Sequence, residues 1–139
     1  MSAYLQELTI RLATAMGNVP EEIRQTHANW VWGKQQGDGG WGGREGTSDP
    51  YYTSFALRTL AITGELYGDR AEQAAAFLRS RLDKQETIVD LAALIYGASM
   101  LENAAGVDVF ESAGPQWKDS VSDYLETLRR DDGGYAKSD

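Results

Sequence analysis

The segment 42–55 concentrates side chains that could bind a ligand. It reads GGREGTSDPYYTSF and contains Arg44, Asp49, Tyr51, Tyr52 and Phe55. The guanidinium group of an arginine matches the spacing of phosphate oxygens and can bind two of them at once. Aromatic side chains can pack against an apolar ligand and can stabilise a cation through their π faces. The carboxylate of Asp49 also has a structural interpretation, because aspartate followed by proline is typical of a helix N-cap.

The elements that must position these side chains are helices. Apolar residues recur with helical periodicity along most of the chain, and strand patterns are scarce. The pattern predicts one all-α domain spanning residues 1–139, in which segment 1–17 is an N-terminal helix. The six predicted helices, with loose ends, cover residues 2–16, 20–36, 49–66, 69–85, 87–103 and 115–130.

Aromatic residues recur on these helices at an interval of 47 residues. Trp30, Phe77 and Tyr124 are in register at that interval, and an aliphatic residue follows each of them. Asp-Gly-Gly-aromatic motifs at 38–41 and 132–135 lie twice that interval apart, whereas the middle position reads Gln85-Glu86-Thr87. The pattern predicts two to three helix-hairpin repeats, at about 20–66, 69–103 and 115–139.

The Asp-Gly-Gly motif has a structural explanation. Gly39 and Gly40 can take positive φ angles without steric cost and so allow a tight exit from a helix. Asp38 can accept backbone N–H groups in an Asx-type turn. We therefore expect both loops to be structural, and we expect a larger residue at Gly40 to destabilise the protein through a positive φ angle.

Two titratable side chains are further candidates. His27 is the only histidine and therefore the obvious general base. Ala74 and Val121 occupy its equivalent positions, however, which predicts that His27 packs on the apolar side of its helix. Asp90 lies near the start of the fifth predicted helix, where it could act on a ligand electrostatically or form part of the helix cap after Thr87.

Composition argues against several classes of function. A net charge of −8 argues against a nucleic acid or an anionic membrane surface as the general partner. The chain has no cysteine, which excludes disulfides, a thiol nucleophile and a thiolate metal site within it. No apolar run approaches the roughly 18 residues that a membrane span needs, and the N-terminal stretch lacks the pattern of a secretory signal. We therefore expect a cytoplasmic protein without a membrane span.

The motif Gln-x-Asp-Gly-Gly-Trp at 36–41, followed by Asp-x-x-x-Thr-x-Phe at 49–55, resembles the α/α toroid proteins. These include protein prenyltransferase β subunits and the squalene–hopene and oxidosqualene cyclases. The segment 42–55 is most similar to geranylgeranyltransferase β subunits. The resemblance implies outer and inner helices that alternate around an apolar cavity for an isoprenoid. Since that ring needs about six repeats, this chain would be a partial toroid that meets the remaining half or a second copy of itself.

The resemblance also implies roles for individual residues. Arg44 matches an arginine that holds the diphosphate of the prenyl donor. The aromatic residues Tyr51, Tyr52 and Phe55 would pack against the isoprenoid chain. Asp90 would face the same cavity near the start of the second inner helix.

A zinc site is the part of the family pattern that this sequence departs from. In the protein prenyltransferases an aspartate, a cysteine and a histidine hold a zinc ion that activates the acceptor thiol. Asp49 matches the aspartate, but Tyr52 stands in the place of the histidine or, in another alignment, Tyr51 in the place of the cysteine. The sequence therefore predicts no cofactor within this chain, and zinc only where ligands come from elsewhere.

The resemblance thus implies a prenyltransferase-like protein that binds an isoprenoid diphosphate, with transferase activity only in a complete toroid. Two alternatives stay open. One is a non-catalytic helical-repeat module that binds a lipid or a partner protein through an uncovered apolar face. The other is part of a class II terpene cyclase, whose acid is an Asp-x-Asp-Asp motif. The adjacent acidic pair in a repeat loop of this chain is Asp131-Asp132.

Overall fold

The fold consists of helices joined by short loops. The computed structural model describes residues 2–84 and 86–137, so the two ends of the predicted domain and Gln85, the last residue of the fourth predicted helix, lie outside it. Within the described residues there is no β-strand, only isolated bridges between Gly42 and Ser48 and between Arg129 and Tyr135. The predicted all-α class is confirmed. The described helices are α1 (Ser2–Met16), α2 (Glu21–Trp32), α3 (Pro50–Thr63), α4 (Asp69–Arg79), α5 (Ile88–Ala105), a 3-10 helix (Glu111–Ala113) and α6 (Trp117–Thr127).

Helices α2, α4 and α6 end earlier than the periodicity predicts. The chain leaves each of them through the same tight turn, in which a backbone N–H donates to the carbonyl three residues before it. The three donors are Lys34, Arg81 and Leu128, with N–O distances of 3.0, 3.0 and 3.1 Å.

The starts of α3 and α5 are fixed by side-chain caps. The Asp49 carboxylate accepts a hydrogen bond from the backbone N–H of Tyr52 at 2.8 Å. The Thr87 hydroxyl oxygen accepts one from the backbone N–H of Asp90 at 3.2 Å. Each cap satisfies a backbone donor that a helix start leaves unpaired. The structural interpretation of Asp49 as an N-cap is therefore confirmed.

The core lies between α3 and α5 and the helices that precede them. Helix α3 packs along α5, while α2 packs on α3 and α4 packs on α5. Gly97 allows the close approach at the centre, since a Cβ atom there would lie 3.3 Å from both Leu57 and Leu78. Both leucines are fully buried. Helices α2 and α4 therefore pack on the α3–α5 pair, whereas the alternation of outer and inner helices and closure into a ring stay predictions.

Helix α1 packs across α3 and α5 rather than beside a hairpin partner. The Thr9 and Tyr96 hydroxyl groups are hydrogen-bonded at 2.8 Å. The Gln6 amide donates to the hydroxyl oxygen of Ser99, also at 2.8 Å. A cavity of about 440 Å³ remains between α1, α3 and α5. The contacts of α1 with α5 are thus largely polar.

Helix α5 is the one described helix that is long and apolar enough to cross a membrane, judged by length and composition alone. The expectation that no apolar run approaches that length therefore has one exception. The helix supplies core residues here, including the buried Leu94, Met100 and Leu101. These core contacts account for part of its apolar character, since 28% of the helix is buried.

Candidate functional site

An open groove between α2 and α3 brings together three of the candidate residues. Its volume is about 750 Å³. Arg44, Tyr52 and Phe55, all predicted from the sequence to bind a ligand, line it. We call it the α2–α3 groove. Its further lining includes Trp30, Val31, Lys34, Gln36, Trp41, Ala56 and Thr59.

Trp41 anchors the loop that carries Arg44. Its indole N–H donates to the carbonyl of Val31 at 2.8 Å, and its backbone N–H donates to the Thr53 hydroxyl at 3.0 Å. The ring is 4% exposed. The Gln36 amide also donates to the carbonyl of Gly46 at 3.1 Å. The loop is therefore held to both helices, so that the backbone around Arg44 has a fixed path.

Aromatic side chains form one wall of the groove and continue beyond it. Tyr51 lies edge-on to Tyr52 and to Phe55, with ring centroids 5.5 and 4.9 Å apart. All three are exposed. The ring of Tyr52 lies above Gly43, where an added Cβ atom would be 3.0 Å from it. The structure thus brings the three predicted aromatic residues together, with Tyr51 just outside the groove lining.

Two cations, Lys34 and Arg44, line the groove. The Lys34 ammonium lies over the Trp30 ring, 5.5 Å from its centroid. The ion pairs among the described residues involve Arg11, Arg81 and Arg129, so neither groove cation is paired with a described carboxylate. The sequence analysis missed Lys34 and Trp30. Lys34 lies in the turn after α2, which ends at Trp32. The predicted helix 20–36 includes both residues, however, and their spacing of four would have placed them on one face of it.

Asp49 lies beside the groove but does not complete a metal site. Its carboxylate caps α3, and the described residues contain no group of three or more histidine, aspartate or glutamate side chains that could hold a metal. Tyr52 occupies the position where the resemblance would require a histidine. The donor set in the described chain therefore does not fit zinc.

Asp90 is not part of the groove. It lies in the first turn of α5, where its carboxylate accepts a hydrogen bond from the Thr87 hydroxyl at 2.7 Å. Thr87 in turn caps the backbone N–H of Asp90. These two hydrogen bonds give Asp90 a structural role in the cap of α5. A role for Asp90 toward a ligand stays a prediction.

His27 does not pack on the apolar side of α2, so that prediction is wrong. Its side chain is exposed, whereas its repeat equivalent Ala74 is fully buried. The difference arises from what covers each helix: a loop lies on α4 at this position, and none of the described residues covers the same position of α2.

The first Asp-Gly-Gly loop, residues 36–41, is a hydrogen-bonded turn. Gln36 N–H donates to the Gly40 carbonyl at 2.8 Å, and Gly39 N–H donates to the Gln36 carbonyl at 2.9 Å. The Asp38 carboxylate accepts from Gly40 N–H at 3.0 Å and from the Ser48 hydroxyl at 2.7 Å. The predicted Asx-type turn is confirmed.

Gly40 is required for a different reason from the one the sequence suggests. The positive φ angle, +92°, belongs to Gly39, while the φ angle of Gly40 is not positive. A Cβ atom at Gly40 would lie 2.7 Å from Ser48 Cβ and 2.9 Å from the Phe77 ring. The expectation of a positive φ angle at Gly40 is therefore wrong. Glycine is required there because Ser48 and Phe77 of α4 lie too close for a side chain.

The second Asp-Gly-Gly loop, residues 130–135, repeats these bonds. Arg130 N–H donates to the Gly134 carbonyl at 2.8 Å, and Gly133 N–H donates to the Arg130 carbonyl at 2.9 Å. The Asp132 carboxylate accepts from Gly134 N–H at 2.9 Å. The acidic pair Asp131-Asp132 thus belongs to a structural turn, which gives no support to the class II cyclase alternative.

Comparisons with protein-family models, with curated proteins and with solved structures found no match to this chain.

Proposed function

We propose that this protein is a prenyltransferase-like, cytoplasmic binding protein that holds an isoprenoid diphosphate in the α2–α3 groove. One observation carries the proposal: the groove places two cations that have no described acidic partner beside exposed aromatic rings. The cations are Lys34 and Arg44, and the rings are those of Trp30, Tyr52 and Phe55.

The two parts of the ligand match the two kinds of side chain. Guanidinium and ammonium groups form strong, charge-assisted hydrogen bonds with phosphate oxygens. Aromatic rings remove the isoprenoid chain from water, at about 0.8 kcal/mol for each methylene-sized group buried. The groove volume of about 750 Å³ is within the range of sites for small ligands. The resemblance of segment 42–55 to geranylgeranyltransferase β subunits supports the same ligand class.

The proposal is confined to binding. Asp49 and Tyr52 do not supply a zinc set within the described residues, and no reaction step is assigned to this chain. Transfer of the prenyl group would require ligands and an acceptor site from the remaining part of a toroid.

Calorimetric titration with geranylgeranyl diphosphate tests the proposal. We expect saturable binding that Arg44→Ala weakens by about ten- to a hundredfold, because a hydrogen bond to a charged group contributes about 1.5–3 kcal/mol. Lys34→Ala should weaken it in the same direction. Arg130→Ala is the matched control, since Arg130 is an exposed arginine of the second loop.

A second titration with geranylgeraniol separates the two ends of the ligand. Binding of the alcohol should be weaker than that of the diphosphate and should not respond to Arg44→Ala. The absence of heat with the diphosphate at high concentration would overturn the proposal. An equal loss of affinity in Arg44→Ala and Arg130→Ala would show a general effect of positive charge and not a specific site.

A non-catalytic repeat module that binds a protein partner is the second candidate. A specific observation favours it: Trp30 is 68% exposed, although Phe77, its repeat equivalent, is 4% exposed. An aromatic residue that is buried in one repeat and bare in another marks a surface suited to a partner.

A further inference from the structure

The first Asp-Gly-Gly loop packs on one particular face of α4. A Cβ atom at Gly39 would lie 2.0 Å from the carbonyl oxygen of Gln73, and one at Gly40 would lie 2.9 Å from the Phe77 ring. At the other end of this face, the side chains of Gln35 and Arg70 are hydrogen-bonded at 3.0 Å. We call this the loop-binding face of α4. It consists of Arg70, Gln73, Ala74 and Phe77.

The next pair of elements along the chain repeats the contact. Tyr124 of α6 is the repeat equivalent of Phe77, and Glu86 of the middle loop is the equivalent of Gly39. The Tyr124 hydroxyl donates to the backbone carbonyl of Glu86 at 2.7 Å. Each of these two loops therefore lies on the aromatic residue of the outer helix that follows it.

The same face of α2 has no such cover within the described residues. Its four positions, equivalent to the loop-binding face of α4, are Ile23, Thr26, His27 and Trp30. All four are exposed, Trp30 to 68%. We call this the bare face of α2.

The second Asp-Gly-Gly loop has the conformation of the first loop but lacks its neighbour. A Cβ atom at Gly133 would meet nothing within 4 Å, and one at Gly134 would meet only the carboxylate of Asp132. Gly133 has a φ angle of +85°, close to the +92° of Gly39. A preformed loop and the bare face of α2 are thus both exposed on the same molecule.

We infer that the second loop of one copy docks on the bare face of α2 of a second copy. The docked arrangement is based on the contact between the first loop and the loop-binding face of α4. In it, Gly134 takes the place of Gly40, and Trp30 takes the place of Phe77. The conformation needed for docking already exists in the free chain, which lowers the entropic cost of association.

The charges at one end of this contact are complementary. Arg129 is equivalent to Gln35, which reaches the first turn of α4. In the docked copy it therefore meets the first turn of α2, which contains Glu21 and Glu22. The intermolecular contact therefore gains opposite charges at this end, which favour docking in this direction.

Such a contact joins two different surfaces, so association is head-to-tail. Each open assembly keeps one free loop and one free face until its two ends meet. A symmetric dimer through a single patch is a different arrangement, and mixtures of variants distinguish the two.

Sedimentation velocity of the ligand-free chain from low micromolar to near-millimolar concentration tests the inference. The 15.3 kDa chain should self-associate reversibly. Trp30→Ala and Gly134→Val should each raise the dissociation constant by about tenfold or more, equivalent to 1.4 kcal/mol. Tyr67→Ala is the matched control, because Tyr67 is 61% exposed and lies outside both surfaces.

Mixing the two variants gives the sharper result. The Trp30→Ala copy retains the second loop, and the Gly134→Val copy retains the bare face of α2. At a concentration above the wild-type dissociation constant and below those of the variants, each variant should be largely monomeric alone, and the equimolar mixture should form dimers that grow no further. The inference would be overturned if the wild-type chain or the mixture stayed monomeric. It would also be overturned if either variant alone associated as strongly as the wild-type chain.

This inference does not depend on the proposed isoprenoid ligand. Gly134 is outside the α2–α3 groove and Arg44 is outside both docking surfaces, so Gly134→Val should impair association alone and Arg44→Ala ligand binding alone. Trp30 belongs to both surfaces. We therefore expect a ligand in the groove to compete with docking, and failure of either proposal leaves the other testable.

Discussion

The two Asp-Gly-Gly loops have the same backbone hydrogen bonds but different surroundings. The first loop ends in Trp41, which is 4% exposed and bonded to α2 and α3, whereas the second ends in Tyr135, which is 47% exposed. The motif therefore determines the local turn, because an aspartate oxygen and glycine backbones suffice to close it. The elements packed against the turn determine how much it contributes to stability. The comparison predicts that identical substitutions in the two loops have unequal effects.

Replacement of the aromatic residue should give the largest difference. Trp41→Ala removes a buried ring that packs on Trp32, with centroids 5.6 Å apart, and leaves the Val31 carbonyl without its donor. We expect a loss of about 3–5 kcal/mol in the free energy of unfolding, the usual range for a large aromatic residue in a core. Tyr135→Ala should cost about 1 kcal/mol or less. Urea unfolding of both variants measures the difference, and equal losses would contradict the comparison.

Replacement of the second glycine should give the next largest difference. Gly40→Val places a side chain where Ser48 and Phe77 already lie, and such overpacking costs about 1–3 kcal/mol. Gly134→Val meets only the exposed carboxylate of Asp132, and its cost should stay within about 0.5 kcal/mol.

Thermal unfolding monitored by circular dichroism provides the check on both valine variants. It also shows that Gly134→Val is folded before its association is measured. A Gly40→Val protein of unchanged stability would mean that α4 does not lie on the first loop.

The sequence predicted the helices and the turns because their causes are local. Apolar spacing, the Asp49 cap and the Asp-Gly-Gly turn each depend on residues within a few positions of one another. Arg44, Tyr52 and Phe55 were predicted together for the same reason, since one loop and the first turns of one helix carry them.

The features that sequence analysis missed depend on contacts between elements. The exposure of His27 could not be predicted from its equivalent Ala74, because a loop covers α4 and no described residue covers the same face of α2. The requirement for glycine at position 40 arises from Ser48 and from Phe77, which lies far along the chain. Lys34 joins Arg44 in the groove only once α2 packs on α3. Packing between elements therefore decides which of the predicted side chains share a surface.

Replacement of the aspartate should give the smallest difference, and it tests whether the turn itself is equally stable in both loops. Asp38 accepts from Gly40 N–H and from the hydroxyl of the buried Ser48, so Asp38→Ala leaves two donors unpaired. We expect a loss of about 1–2 kcal/mol. Asp132→Ala removes a single exposed bond and should cost about 0.5 kcal/mol. Denaturant unfolding measures both losses, with Asp38→Asn as a control that keeps one acceptor oxygen and should lose less than Asp38→Ala. If Asp132→Ala were as damaging as Asp38→Ala, the turn itself would contribute the stability and Ser48 would contribute little.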